Sequence, residues 1–173
     1  MQFKDLIRGT VLLVAAEATA LGAISAIAIN NSGDDLLAIV SLAWWLIAAI
    51  LGLSQGTTER AAEALRDPLA AAKTATSLPS DSPTSIAIAR LWPLGAFAVI
   101  AGGLGALFPQ IPAIATGFAL LFALAWRRRE AAVTAIEERD GVLFDVERNS
   151  AFERVQLVRT PGLMRGDAAG LRP

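Results

Sequence analysis

A single carboxylate, Glu17, interrupts an apolar stretch that runs from Gly9 to Ile29. An acid at the centre of a membrane-spanning helix costs about 2.5–3.5 kcal/mol on insertion scales, so a chain that keeps one there has a use for it. Three uses suit a carboxyl group in that setting: a hydrogen bond to another helix, an ion pair with a nearby cation, or a step in a proton or cation pathway. About nine residues separate Arg8 from Glu17, roughly 14 Å of helix rise, which places the acid near mid-depth. Its neighbours at three- and four-residue spacing are Leu13, Val14, Ala20 and Leu21, so no polar stripe accompanies it. Thr10 on the same helix and Ser41 and Thr116 on others are the polar groups within reach, and Arg90 is the counter-ion candidate, although it can snorkel to water. Structural use of Glu17 therefore ranks ahead of proton, cation or ligand handling.

The rest of the chemical inventory is sparse. The chain has no Cys, no His and no Tyr, which removes disulfides, thiolate metal sites, imidazole bases and the usual haem and zinc ligands together. Nucleophile pairs built on histidine are excluded, leaving carboxylates, Lys4, Lys73, hydroxyls and arginines. The acids from Glu137 to Asp140 alternate around Arg139 and point in different directions on a helix, which reads as a solvated helix end and not a metal site. Gly102, Gly103 and Gly105 fall inside an apolar segment, where glycine serves packing and not phosphate binding. No catalytic residue, metal or cofactor is expected, nor a nucleic-acid partner, since no single basic patch is evident.

These residues must be positioned by membrane helices. With 54% hydrophobic residues and a mean hydropathy of +0.53, the chain of 173 residues is too apolar for an ordinary soluble domain. A spanning helix needs about 20 mainly apolar residues. Four stretches qualify or nearly do, over about 9–29, 36–53, 91–108 and 111–126. Lys4 and Arg8, the cluster Arg60, Arg66, Lys73 and Arg90, and Arg127 to Arg129 all fall on one side, against an acidic Asn30-to-Asp35 turn and an uncharged Phe108-to-Pro112 turn on the other. Both termini are expected to be cytoplasmic, with an uncleaved first helix, because its apolar run is longer than a signal core and lacks a single clear cleavage box. Arginine outnumbers lysine and alanine is abundant, a bias of GC-rich bacterial genomes, which points to a bacterial plasma membrane.

The expected fold is an all-α integral membrane protein: a four-transmembrane-helix bundle of two helical hairpins over 1–129, with a cytoplasmic loop over 54–90, followed by a small cytoplasmic C-terminal helix plus β-hairpin extension over 130–173. The two hairpins are faintly alike, since the interval from Arg8 to Trp44 equals that from Arg90 to Trp126, a match that alanine- and leucine-rich sequence also produces by chance. Close packing in lipid depends on small residues, which nominates Gly22, Gly95, Gly102, Gly103 and Ala106, with Ala18 and Ala26 on either side of Gly22 on the first span and Ala115, Ala119 and Ala123 along the fourth. Trp92 and Trp126 sit beside charges and suit an interfacial belt, whereas Trp44 and Trp45 fall mid-span and are expected to fill the bundle core or meet a partner.

In the cytoplasmic loop, Thr57 or Thr58 can cap a short helix through Arg66, Pro68 interrupts it, and 69–76 can resume as an amphipathic segment before a loop over 77–85. After the fourth span a helix should run to Asp140 and Gly141. Period-two alternation of Val142, Phe144 and Val146, then Val155 and Leu157, predicts a β-hairpin ending at Pro161. A two-stranded hairpin is marginal in water, so it must pack on the membrane domain, on another copy or on a different protein, which makes Phe144, Val146, Val155 and Leu157 partner-binding candidates. The leading expectation for function is a non-enzymatic membrane accessory or assembly subunit, with membrane lipid, other subunits or a second copy as partners. A small oligomeric transporter or channel using Glu17 is the alternative.

Overall fold

The computed structural model describes residues 1–74, 82–147, 151–153 and 155–161, and the protein is mostly helical. Four of its helices are long and apolar enough to cross a membrane, which marks a multi-pass membrane protein. The first, α1 (Phe3–Ser32), has 30 residues and a length of about 45 Å, more than a hydrocarbon core of about 30 Å requires. It starts six residues before the expected span because Phe3, Leu6 and Ile7 extend its inner face into a core beyond the spanning part. Gly33, at φ 64°, ends α1 in the left-handed conformation that favours glycine, and Asp34 then caps α2 (Asp35–Gln55) by accepting from the Leu37 N–H at 3.0 Å.

The connection that follows is more ordered than its composition implies. Thr57 caps α3 (Thr58–Ala70), and Pro68 lies inside this helix instead of interrupting it. Proline removes one intrahelical hydrogen bond, and in the last turn that loss is small, since the Ala71 N–H still reaches the Asp67 carbonyl at 3.0 Å. Lys73–Thr74 then form a strand, β1, where an amphipathic helix was expected. Residues 75–81, which hold most of the expected loop, lie outside the described residues. Ser82 caps α4 (Pro83–Leu104), so this helix begins eight residues before the expected span and ends four residues sooner. A serine cap followed by proline at the first helical position is a strong start signal, because proline's missing N–H is one the helix could not have used.

α5 (Gln110–Trp126) matches its expected bounds closely, and a turn at Arg127–Arg128 separates it from α6 (Arg129–Asp140). Gly141, at φ 63°, closes α6 by directing its N–H to the Glu137 carbonyl. The sheet that follows has three strands and not two. β2 (Val142–Val146) pairs antiparallel with β3 (Leu157–Pro161), from Val142 opposite Pro161 to Val146 opposite Leu157. β1 adds in parallel on the far side of β3, through Lys73 opposite Val158 and Thr74 opposite Arg159. The free side of β2 meets the chain's first residues, with a bridge between Gln2 and Asp145 and a bond from the Val146 N–H to the Met1 carbonyl at 2.9 Å. Both edges of β2 are thereby covered, which resolves the marginality of an isolated hairpin.

The spanning helices alternate in direction, with α1 and α5 as the central pair; α2 packs chiefly on α5 and α4 chiefly on α1. The two sequential hairpins are therefore not the packing units, since the closest contacts join helices of different hairpins. The largest apolar cluster among the described residues lies at the sheet end, where α1, α3, α4, α6 and the sheet meet around Ile7, Leu65, Ile86, Val133, Phe144 and Val146. Inside the bundle, a smaller cluster among the described residues is formed by Leu21, Ala101 and Ala115. This division follows from the solvent: lipid provides no hydrophobic drive between helices, whereas the sheet end buries its apolar surface from water.

Candidate functional site

Glu17 lies on the inner face of α1, 9% exposed, on a face that also buries Val14, Ala18, Leu21 and Ser25. Among the described residues it makes no hydrogen bond and no ion pair, and its Oε1 is fully enclosed without a partner, as is Oγ of Ser25. Ser41 on α2 and Thr116 on α5 are the other polar residues buried in the bundle. The Thr116 hydroxyl donates to the Pro112 carbonyl of its own helix at 2.7 Å, so it is satisfied locally. A carboxyl group so placed can exchange a proton or receive a polar ligand, but the described neighbours do not form a continuous polar file.

Arg90 does not serve as its counter-ion. Its Nη1 donates to the Glu153 carbonyl at 2.8 Å, in the segment that leads to β3. The adjacent Leu91 lies level with Gly9, and Gly9 is eight residues before Glu17, about 12 Å of helix rise. The guanidinium instead ties the start of α4 to the sheet end.

The small residues divide into two groups. Gly22 faces Thr116, and Gly102 faces Ile24 and Leu21, so both serve contacts within the chain. Gly95 and Gly103 have nothing within 4 Å of where a Cβ would stand, and Ala106 is exposed beyond the end of α4. The closest backbone approaches occur at glycines that the sequence reading did not single out. A Cβ on Gly52 would come within 2.9 Å of the Leu121 carbonyl oxygen, one on Gly56 would collide with the Leu124 carbonyl, and one on Gly117 would overlap the Trp44 indole. The four-residue spacing of Gly52 and Gly56 was the available signal.

Trp44 and Trp45 both donate from Nε1 to α5, to the Ile114 carbonyl at 3.2 Å and the Ala113 carbonyl at 2.8 Å. Trp44 also sets its ring edge-on to Phe118, with centroids 5.3 Å apart. These tryptophans hold α2 to α5. Phe144, Val146 and Leu157 are buried in the chain's own core at the sheet end, while Val155 is exposed and lies outside the strand. Glu137 departs from the solvated reading. It is 5% exposed, its Oε1 accepts from the Phe144 N–H at 3.1 Å, and its Oε2 lies 3.5 Å from Lys4 Nζ, so it joins α6 to β2 and to the start of α1.

Beside this joint lies a cavity of about 910 Å³, bounded by the first turns of α1, by α3, by the start of α4, by the end of α5 and by the segment leading into β3. Leu65, Leu91, Leu94, Phe122 and Phe152 supply apolar wall, and Asp67, Lys73, Arg90 and Arg129 are its charged lining. The Arg129 guanidinium lies 4.0 Å from the centroid of the Trp126 ring. A cleft of about 610 Å³ between α3 and α6 carries both signs of charge, including Glu59, Glu63, Arg66 and Arg139. No group of three or more acidic side chains that could hold a metal occurs among the described residues. The chain matches no protein-family model, no curated protein and no solved structure.

Proposed function

We propose that this protein is a non-enzymatic accessory or assembly subunit of a bacterial plasma membrane, with both termini cytoplasmic, and that it docks on partner proteins through outward helix faces. The observation that supports this reading is the outer strip of α4. Gly95 and Gly103 meet nothing there, and Val99 between them is 76% exposed. Glycine in a helix interior costs about 1 kcal/mol relative to alanine in soluble hosts, and the return in a membrane is close approach of another backbone. Gly22 and Gly102 obtain that return within the chain, whereas Gly95 and Gly103 await it from outside. The sheet end would then present the bundle to cytoplasmic partners as one closed cap.

The test is native mass spectrometry of the tagged chain extracted with its surrounding lipid from its own host, beside a Gly95→Ile/Gly103→Ile variant. Unlike subunits in fixed stoichiometry, lost in the variant, are expected. A monomer in both preparations refutes the reading.

The enclosed, unpartnered Oε1 of Glu17 favours a second reading, an oligomeric transporter or channel that moves protons or cations past this carboxyl group. A homo-oligomer whose proton or cation flux in vesicles is abolished by Glu17→Gln would support it over the first.

A further inference from the structure

We infer that the segment between β2 and β3 dips into the bilayer surface beside α4, with Phe152 seated at the boundary of lipid headgroups and acyl chains, so that the sheet end is held against the membrane. Phe152 is 81% exposed, the most exposed large hydrophobic side chain among the described residues. Apart from Phe152 and Val155, every exposed large hydrophobic side chain among those residues lies in a spanning helix or in the turn from α4 to α5. Exposure there means contact with lipid, which solvates an apolar side chain as well as another helix does. The sheet end otherwise keeps its large apolar side chains in a core that includes Leu65, Phe144 and Val146. In water an exposed Phe152 would be the exception to that division; in lipid it obeys it.

Two contacts with α4 fix where the segment lies. The Phe152 ring meets the Trp92 ring edge-on with centroids 6.2 Å apart, and the Glu153 carbonyl accepts from Arg90 Nη1 at 2.8 Å. Trp92 is 54% exposed and follows Arg90 by two residues, so it stands where charge gives way to apolar helix, the level at which tryptophan belts form. The interfacial layer on each side of a bilayer is about 5–8 Å thick, half the difference between a full thickness of about 40–45 Å and a hydrocarbon core of about 30 Å. A ring 6.2 Å from Trp92 therefore falls in that layer or at its border. Ile88, one turn before Trp92 and 64% exposed, carries the apolar strip of α4 past the level at which Phe152 meets it. The surface at Phe152 is thus continuous with the lipid-facing side of α4, and a soluble partner docking on it would have to displace the lipid beside Trp92. β3 begins four residues after Glu153, so a segment fixed at the bilayer surface also fixes the strand that pairs with β1 and β2.

Because the chain has no cysteine, Phe152→Cys, Leu46→Cys and Ala62→Cys each carry one thiol for a nitrobenzoxadiazole label. Leu46, 63% exposed on α2, reports lipid, and the exposed Ala62 on α3 reports water. The full chain, one copy in each phosphatidylcholine nanodisc, is exposed in turn to nitroxide-bearing lipid and to aqueous iodide. The ratio of lipid to iodide quenching at position 152 is expected to lie closer to that of Leu46→Cys than to that of Ala62→Cys. Nitroxides at shallow acyl positions should quench more than deep ones, as for a group within about 5–10 Å of the headgroup boundary. A ratio closer to that of Ala62→Cys, or stronger quenching by deep nitroxides, would overturn the inference. A label reached by neither quencher would overturn it as well, because the segment is then covered by protein. Removing an exposed ring leaves both apolar clusters intact, and circular dichroism checks that each variant keeps its helices. Should Phe152→Cys lose them, the same ratio read at Ala151→Cys, with Phe152 in place, decides the matter.

Discussion

Gly117 is where the packing of the bundle can be tested most sharply. A methyl group there would enter the indole ring of Trp44, and the atoms it meets belong to a rigid ring and not to the end of a flexible chain. Gly117→Ala must therefore unseat Trp44. Losing the indole bond to the Ile114 carbonyl at 3.2 Å removes about 0.6 kcal/mol, the mean for interhelical hydrogen bonds in a membrane. Losing the edge contact with Phe118 removes about 0.5–1.5 kcal/mol. Overpacking strain adds about 1–3 kcal/mol, and the helix propensity of alanine returns about 1 kcal/mol. The expected net destabilisation is about 1–4 kcal/mol. Reversible unfolding in mixed micelles with increasing dodecyl sulfate measures it for Gly117→Ala, Trp44→Ala and the double variant. Because the new methyl occupies space that Trp44→Ala vacates, the double variant should be no less stable than Trp44→Ala alone, a coupling as large as the whole cost of Gly117→Ala, about 1–4 kcal/mol. A neutral Gly117→Ala, or costs that simply add, would refute the account of the α2–α5 interface.

The other predictions concern buried acids and topology. Glu17→Leu replaces a carboxyl group that has no described partner, and is expected to stabilise the protein by about 1–3 kcal/mol in the same unfolding assay. A loss of stability would instead reveal a structural role for the acid. Glu137→Ala strands the buried Phe144 N–H and should cost about 1–3 kcal/mol, while Glu137→Gln, which keeps an acceptor, should cost less. The exposed Glu138→Ala should stay within about 0.5 kcal/mol of the parent, and equal costs for all three would remove Glu137 from the joint. Because the chain has no cysteine, Ser32→Cys and Ala62→Cys each carry a unique thiol. In intact cells a membrane-impermeant maleimide should label the former and spare the latter, and the reverse pattern would invert the topology.

Much of the membrane part was legible in sequence, and the exceptions share a cause. The bounds of α2 and α5 could be read because a spanning helix satisfies its backbone within itself, so that apolar length alone defines it. The start of α4 was readable in principle from Ser82 and Pro83, but hydropathy, which the reading followed, is silent outside the bilayer. The strand alternation from Val142 to Val146 was equally visible. The partnership of β3 with β1 was not, because two residues at Lys73 and Thr74 carry no periodic signal and pair with a strand more than eighty residues away. In the candidate sites, the place of Glu17 on a long apolar helix followed from counting residues, while the engagement of Arg90 with Glu153 depended on where the chain returns after β2.

Sequence by itself determined that this chain enters a membrane, how many times it can cross, and that one acid is carried into the crossing, since these depend on local hydrogen bonding and on transfer of each side chain from water to hydrocarbon. Tertiary structure alone decided which small residues are used and which are left over: Gly52, Gly56 and Gly117 meet α5 or Trp44, while Gly95 and Gly103 face outward. It alone turned Glu137 inward to hold Phe144 and Lys4, and gathered Lys73, Arg90 and Arg129 around one cavity. These outcomes depend on the relative rotation of helices and on contacts between distant segments, which no local pattern of residues encodes.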